Sequence, residues 1–159
     1  MSRIFISTFL LIIPLVLSGC LNEEDNTTNS SEISSKTPPD LRIEVGDTTV
    51  KPVRGTYNWS YTKKDGTSTS KHAASAAPPV LVKEQQSVIV TPDSKVNLYF
   101  DEEPKSYKVK IWDPEKNEVK RSYEEVVIPQ EDGKVIYEIL ANWEHGKVSF
   151  AFSLHVDSK

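Results

Sequence analysis

Between residues 41 and 156 apolar side chains recur at every second position in short runs, and turn-forming Gly, Pro, Asn and Asp separate many of them. That period matches the pleat of a β-strand, whose successive side chains face opposite ways, and not the turn of a helix. The runs are 41–45, 48–53, 55–61, 80–82, 87–91, 96–100, 107–112, 119–128, 135–141 and 148–156. In the last two, Val135, Tyr137, Ile139 and Ala141 alternate with Ile136, Glu138 and Leu140, and Val148, Phe150, Phe152, Leu154 and Val156 alternate with Ser149, Ser153 and His155. A reversal at Trp143-Glu144-His145-Gly146 makes them a hairpin with one face turned to a core. Gly46-Asp47 predicts a second hairpin turn, and Asp113-Pro114-Glu115-Lys116-Asn117-Glu118 an exposed connection. Roughly eight or nine short strands without helical periodicity predict an all-β fold: an antiparallel β-sandwich, immunoglobulin-like, with a small β-barrel as the alternative. The Cys-Trp-Cys arrangement of antibody domains is absent.

A sandwich of this kind must be held by its core, because the chain has one cysteine, Cys20, and so no internal disulfide. Cys20 closes a segment with a different logic. A basic start at Arg3 is followed by apolar residues from Ile4 to Leu17, interrupted by Pro14, and by the small residues Ser18-Gly19. A spanning helix needs about 20 apolar residues, so this shorter stretch reads as a secretory signal peptide. Leu17-Ser18-Gly19-Cys20 resembles the bacterial lipobox. The resemblance implies cleavage before Cys20, a diacylglyceryl thioether on its sulfur, and acylation of the new amino terminus. Each buried methylene contributes about 0.8 kcal/mol, so two or three chains would anchor the protein durably.

The expected organisation is a lipoprotein signal peptide at 1–19, a lipidated Cys20 with a tether over 20–40, and the sandwich over 41–159. Residues 21–40 are rich in Asn, Thr, Ser and acids and close with Thr37-Pro38-Pro39-Asp40, a composition that predicts a disordered spacer. Losing Arg3 with the leader shifts 19 basic and 23 acidic residues to a net charge of about −5. That balance lacks the basic footprint of a nucleic-acid binder and the polybasic patch that anionic lipid attracts. The expected partners are the membrane, through the lipid on Cys20, and an envelope protein or glycan.

Reactive chemistry is sparse. His72, His145 and His155 lie far apart with no metal-ligand spacing, and His155 falls on the polar face of its strand. There is no HExxH, GxSxG or P-loop motif, and no cofactor is expected. Among the acids, Asp101-Glu102-Glu103 reads as a solvated turn before Pro104, and Glu124-Glu125 points to opposite faces of a strand. Asp101-Glu102-Glu103 offers oxygen ligands for calcium without the loop spacing that builds a site. Tyr57, Trp59 and Tyr61 share one face of their strand, where they form either an aromatic platform for a glycan or peptide or part of the core; alternation favours core. Thr62 to Pro79 reads as a long loop, locally basic at Lys63, Lys64 and Lys71, and a candidate functional surface.

Gly55-Thr56-Tyr57-Asn58-Trp59-Ser60, Ala77-Pro78-Pro79, Tyr137-Glu138-Ile139-Leu140-Ala141-Asn142-Trp143 and Gly146 before Phe150-Ala151-Phe152 resemble a group of small uncharacterised lipoproteins of Gram-positive, Bacillus-like bacteria. The resemblance covers most of the folded region and implies attachment to the outer face of the cytoplasmic membrane, within the wall zone. The expected function is that of a lipid-anchored, non-catalytic binding or interaction module, with a cell-wall-active hydrolase assembled from distant residues as the alternative.

Overall fold

The structure is a computed structural model that describes residues 35–159. Strands β1 (Leu41–Val45) and β2 (Thr48–Val50) form a hairpin around the Gly46-Asp47 turn, where Gly46 adopts φ of 56°. A hairpin turn of two residues needs that left-handed backbone, and glycine takes it without a steric cost. β1 also pairs with β6 (Val96–Phe100), giving a three-stranded sheet in the order β2-β1-β6.

The larger sheet holds β3 (Val53–Thr62), β4 (Ser68–Ala73), β5 (Val88–Val90), β7 (Ser106–Asp113), β8 (Glu118–Tyr123), β9 (Gly133–Trp143) and β10 (Gly146–Val156). Its order is β4-β3-β10-β9-β7-β8, and β5 adds to the far end of β10 as the single parallel pairing. The two sheets face each other as a β-sandwich, and neither closes into a barrel.

Side-chain alternation places the core between them. Leu41, Ile43 and Val45 of β1 meet Trp59, Val109, Ile111, Tyr137, Ile139, Val148, Phe150, Phe152 and Leu154 of the large sheet in one cluster. Tyr137 and Phe152 stack with ring centroids 4.8 Å apart. Burial pushes the Tyr137 phenol above its usual range, the Tyr123 phenol adding to the shift, and its hydroxyl donates to the Val127 carbonyl at 3.0 Å.

The large sheet has a second packed patch on its outer face. There Val82 covers Ile136 and Ala151, with Val53, Leu81 and Trp112 around them. Val82 comes from a segment whose 80–82 run predicts a strand; the structure instead makes a single helical turn, α1 (Pro78–Leu81). Pro78 and Pro79 explain this, since proline in the first turn has the right φ and would give up no hydrogen bond.

Three further boundaries differ from the sequence expectation. Residues 62–79 are not one long loop, because β4 pairs with β3 from Thr62↔Ser68 to Tyr57↔Ala73. The 119–128 run stops pairing at Tyr123, and Ile128 turns into the core instead. Residues 35–40, assigned to the spacer, pack on the sandwich: Pro38 and Pro39 are buried, the Arg54 guanidinium donates to the Pro38 carbonyl at 3.2 Å and pairs with Asp40, and the Trp59 indole donates to the Ser35 carbonyl at 2.8 Å. The expected leader, the lipobox at Leu17, Ser18 and Gly19, and Cys20 lie outside the described residues.

Candidate functional site

The α1 segment covers only part of the outer face of the large sheet. Beside it lies an open groove of about 550 Å³ on β3, β4, β9 and β10, bordered by Asn58, His72, Ala74, Glu138, Leu140, Lys147 and Ser149. Register brings these residues together. Asn58 pairs with His72 and with Lys147, and Leu140 pairs with Ser149, so their side chains form neighbouring rows.

A bulge in β3 helps shape this surface. Val148 pairs with Tyr57 but Phe150 pairs with Arg54, so Gly55 and Thr56 both lie opposite Ser149. A bulge of this kind shifts the side-chain alternation by one residue, which turns Arg54 and Tyr57 to the same side. Gly55 sits tightly here: a Cβ on it would lie 3.1 Å from the Ser149 hydroxyl and 3.3 Å from that of Ser75.

Glu138 forms the floor of the groove and is 8% exposed. Ser149 Oγ donates to its Oε1 at 2.7 Å; Trp112 Nε1 and Lys110 Nζ donate to its Oε2 at 3.1 and 3.3 Å. A buried carboxylate costs stability unless it is paired and hydrogen-bonded, and these three donors on β7 and β10 meet that requirement. Both oxygens accept, so the carboxylate clamps three strands. The groove therefore offers chemistry for recognition: apolar Leu140 and Ala74, the amide of Asn58, the imidazole of His72, the ammonium of Lys147.

Of the three aromatic candidates of β3, Tyr57 lines this groove and Trp59 and Tyr61 do not, so they make no shared platform. Trp59 is fully buried and Tyr61 nearly so, because the face they share is the inner one. Trp59 meets Trp143 edge-on at 5.9 Å and His145 at 5.8 Å, while the 35–40 strap closes over its indole nitrogen. Tyr57 is half-buried and packs on the same core. Only Tyr61 keeps a cationic neighbour, Lys71 Nζ at 5.5 Å from its ring centroid.

The remaining candidates stay apart. His72 and His155 are exposed and on different strands, and His145 sits in the β9–β10 turn. Asp101, Glu102 and Glu103 are exposed; Asp101 accepts from the Asp40 amide and the Glu102 carbonyl accepts from Trp143 Nε1. Glu124 and Glu125 are exposed, and Glu124 reaches Lys108 at 3.9 Å. Among the described residues no cluster of His, Cys, Asp or Glu is placed to hold a metal ion.

A smaller cleft of about 270 Å³ lies where β7, β8 and the start of β9 meet. Its walls mix Asp113, Glu131 and Asp132 with Lys120, Arg121 and Lys134, so it has no single charge preference. Asp113 holds a turn and Asp132 ties down the chain after β10. The amides of Lys116 and Glu115 donate to Asp113, and the hydroxyl and amide of Ser158 bond Asp132, which lowers both carboxyl groups below the ordinary aspartate value.

Sequence reasoning did not single out Glu138 or its donors. The available signal was a lone acid between Ile136 and Leu140 on a face otherwise apolar at that point. Comparison with protein-family models, curated proteins and solved structures returns no match.

Proposed function

We propose that this chain is a lipid-anchored lipoprotein on the extracytoplasmic face of the cell membrane, acting as a non-catalytic binding or interaction module of the envelope. The observation that carries the proposal is Leu17-Ser18-Gly19-Cys20 directly after an apolar run, with Cys20 as the one cysteine in the chain. The strap at 35–40 packs on the sandwich and so belongs to the folded domain. In this reading the residues that follow Cys20 separate the lipid from the domain, each spanning at most about 3.6 Å. The groove above Glu138 supplies the recognition surface, for an envelope protein or glycan.

The test is intact mass and membrane fractionation of the wild type and Cys20→Ala in a Gram-positive host. The wild type should lose the leader, gain a diacylglyceryl mass and sediment with membranes; Cys20→Ala should do none of these. A retained leader on an unmodified Cys20 would overturn the proposal. For the groove, Leu140→Arg should reduce retention of the domain on isolated cell envelopes without lowering its melting temperature; unchanged retention would remove the groove from the proposal. The hydrolase reading is weaker because Glu138 is the one carboxylate lining the groove among the described residues, with no second acid converging on it.

A further inference from the structure

Among the described residues the small sheet ends at β6, whose second edge pairs with no strand. Asp101 N–H donates to the Asp40 carbonyl at 3.0 Å, so residues 40 and 101 form a hydrogen-bonded pair of the β1–β6 ladder. Such pairs alternate along an antiparallel ladder, so Tyr99 and Asn97 direct their main-chain groups to β1. The N–H and C=O groups of Val96, Leu98 and Phe100 therefore point away from β1, and no strand among the described residues pairs with them.

An open groove of about 340 Å³ runs along this edge. Val96 and Leu98 form one wall, Tyr107 of the opposite sheet lies at its base, and Glu125 and Val126 form the other wall. The far wall belongs to the stretch that leaves β8 at Tyr123 without pairing again until β9. Natural sheets blunt free edges with charge, proline or short strands. Here β6 has five residues, three of them half-buried apolar side chains, and neither proline nor charge within the strand.

We propose that the β6 edge is a strand-addition site for an extended segment of a partner polypeptide in which apolar residues alternate with Lys or Arg. The added strand pairs with Val96, Leu98 and Phe100, places its apolar side chains against Leu98, Tyr107 and Val126, and sets its cations against the acidic rim. That rim supplies the charge argument: Glu125 forms no ion pair among the described residues, and exposed Asp101, Glu102 and Glu103 follow the strand. Nearby cations are Lys95 at the start of the strand, Lys108, already paired with Glu124, and Arg42, which pairs with Glu44 and lies over the Tyr99 ring. A second copy of this chain fits less well, since its own β6 would offer Asn97 and Tyr99, not cations, between its apolar residues. Main-chain bonds would supply affinity, and alternate side chains specificity. The proposal stands apart from the lipid anchor and from the groove above Glu138.

The test uses a capped, fluorophore-labelled synthetic peptide of alternating valine and lysine, followed by fluorescence anisotropy and by amide hydrogen exchange of the protein. The peptide should bind and protect the amides of Val96, Leu98 and Phe100. N-methylation of its valines should weaken binding more than about tenfold by removing the bonds that face β6 in antiparallel pairing, while N-methylation of its lysines should leave binding nearly unchanged. Glu125→Lys, an exposed change, should weaken binding severalfold, and a valine–glutamate peptide should not bind. No binding, equal loss with either methylated set, or protection confined to β4 or β8 would overturn the proposal.

Discussion

Trp59 illustrates how burial assigns a residue its role. Its ring meets Trp143 and His145 edge-on, its N–H reaches Ser35, and none of its surface is exposed. Trp59→Ala should therefore lower folding stability by about 3–5 kcal/mol, the range for emptying a large aromatic site. Chemical denaturation checks this; a change below about 1 kcal/mol would mean the site is not core. Glu138 makes a different prediction. Glu138→Ala strands the Ser149, Trp112 and Lys110 donors and should cost about 2 kcal/mol, whereas Glu138→Gln keeps an acceptor and a donor at the same place and should cost less. Equal losses in the two variants, again by denaturation, would show that shape and not hydrogen bonding governs the position. The inward aromatics were legible from alternation alone. Glu138 was not, because its three donors come from strands whose pairing with β9 no local pattern reveals.

At the scale of elements, the β9–β10 hairpin is where sequence and structure agree most closely, with Val135, Tyr137, Ile139 and Ala141 of one strand on the same face as Phe152, Phe150 and Val148 of the other. Its turn is the four-residue reversal expected: Trp143 pairs with Gly146 and is itself buried, and Glu144 and His145 are the central residues. The side of Gly146 is filled by β3, since a Cβ there would lie 1.9 Å from the Asn58 carbonyl oxygen. Next to it, Ser60 N–H donates to the His145 carbonyl at 2.7 Å. Gly146→Ala should separate β3 from β10 at this point, cost on the order of 2 kcal/mol or more, and release the Ser60 amide to exchange. Wild-type stability and protection in that variant would contradict the close approach. β4 was missed for a related reason: Ser68-Thr69-Ser70-Lys71-His72-Ala73 has no apolar alternation, and β3 recruits it through main-chain pairing.

For the whole molecule, acid should weaken the fold through carboxylates that accept bonds only in the native state. Asp113 and Asp132 have folded values below the ordinary 3.8, so the native state releases their protons more readily than the unfolded chain does. Their contribution is complete above the ordinary value and is lost as pH falls from about there through the depressed folded values. The midpoint of thermal unfolding should therefore drop below pH 4 or so, and Asp113→Asn with Asp132→Asn should flatten that dependence while keeping an oxygen acceptor for the same amides. A pH profile identical to wild type in the double variant would assign acid sensitivity to other groups.

What the sequence alone determined was the class of fold, most strand positions and the face each side chain takes, because a period of two and the turn chemistry of Gly46-Asp47 and Asp113–Glu118 are local properties. It also carried the reading of residues 1–20, which rests on order along the chain. Only the tertiary structure decided that β4 joins the large sheet, that Val82 covers Ile136, and that residues 35–40 close over Trp59. Each of those outcomes depends on a partner distant in sequence, and the energy of such a pairing belongs to the contact and to neither segment by itself.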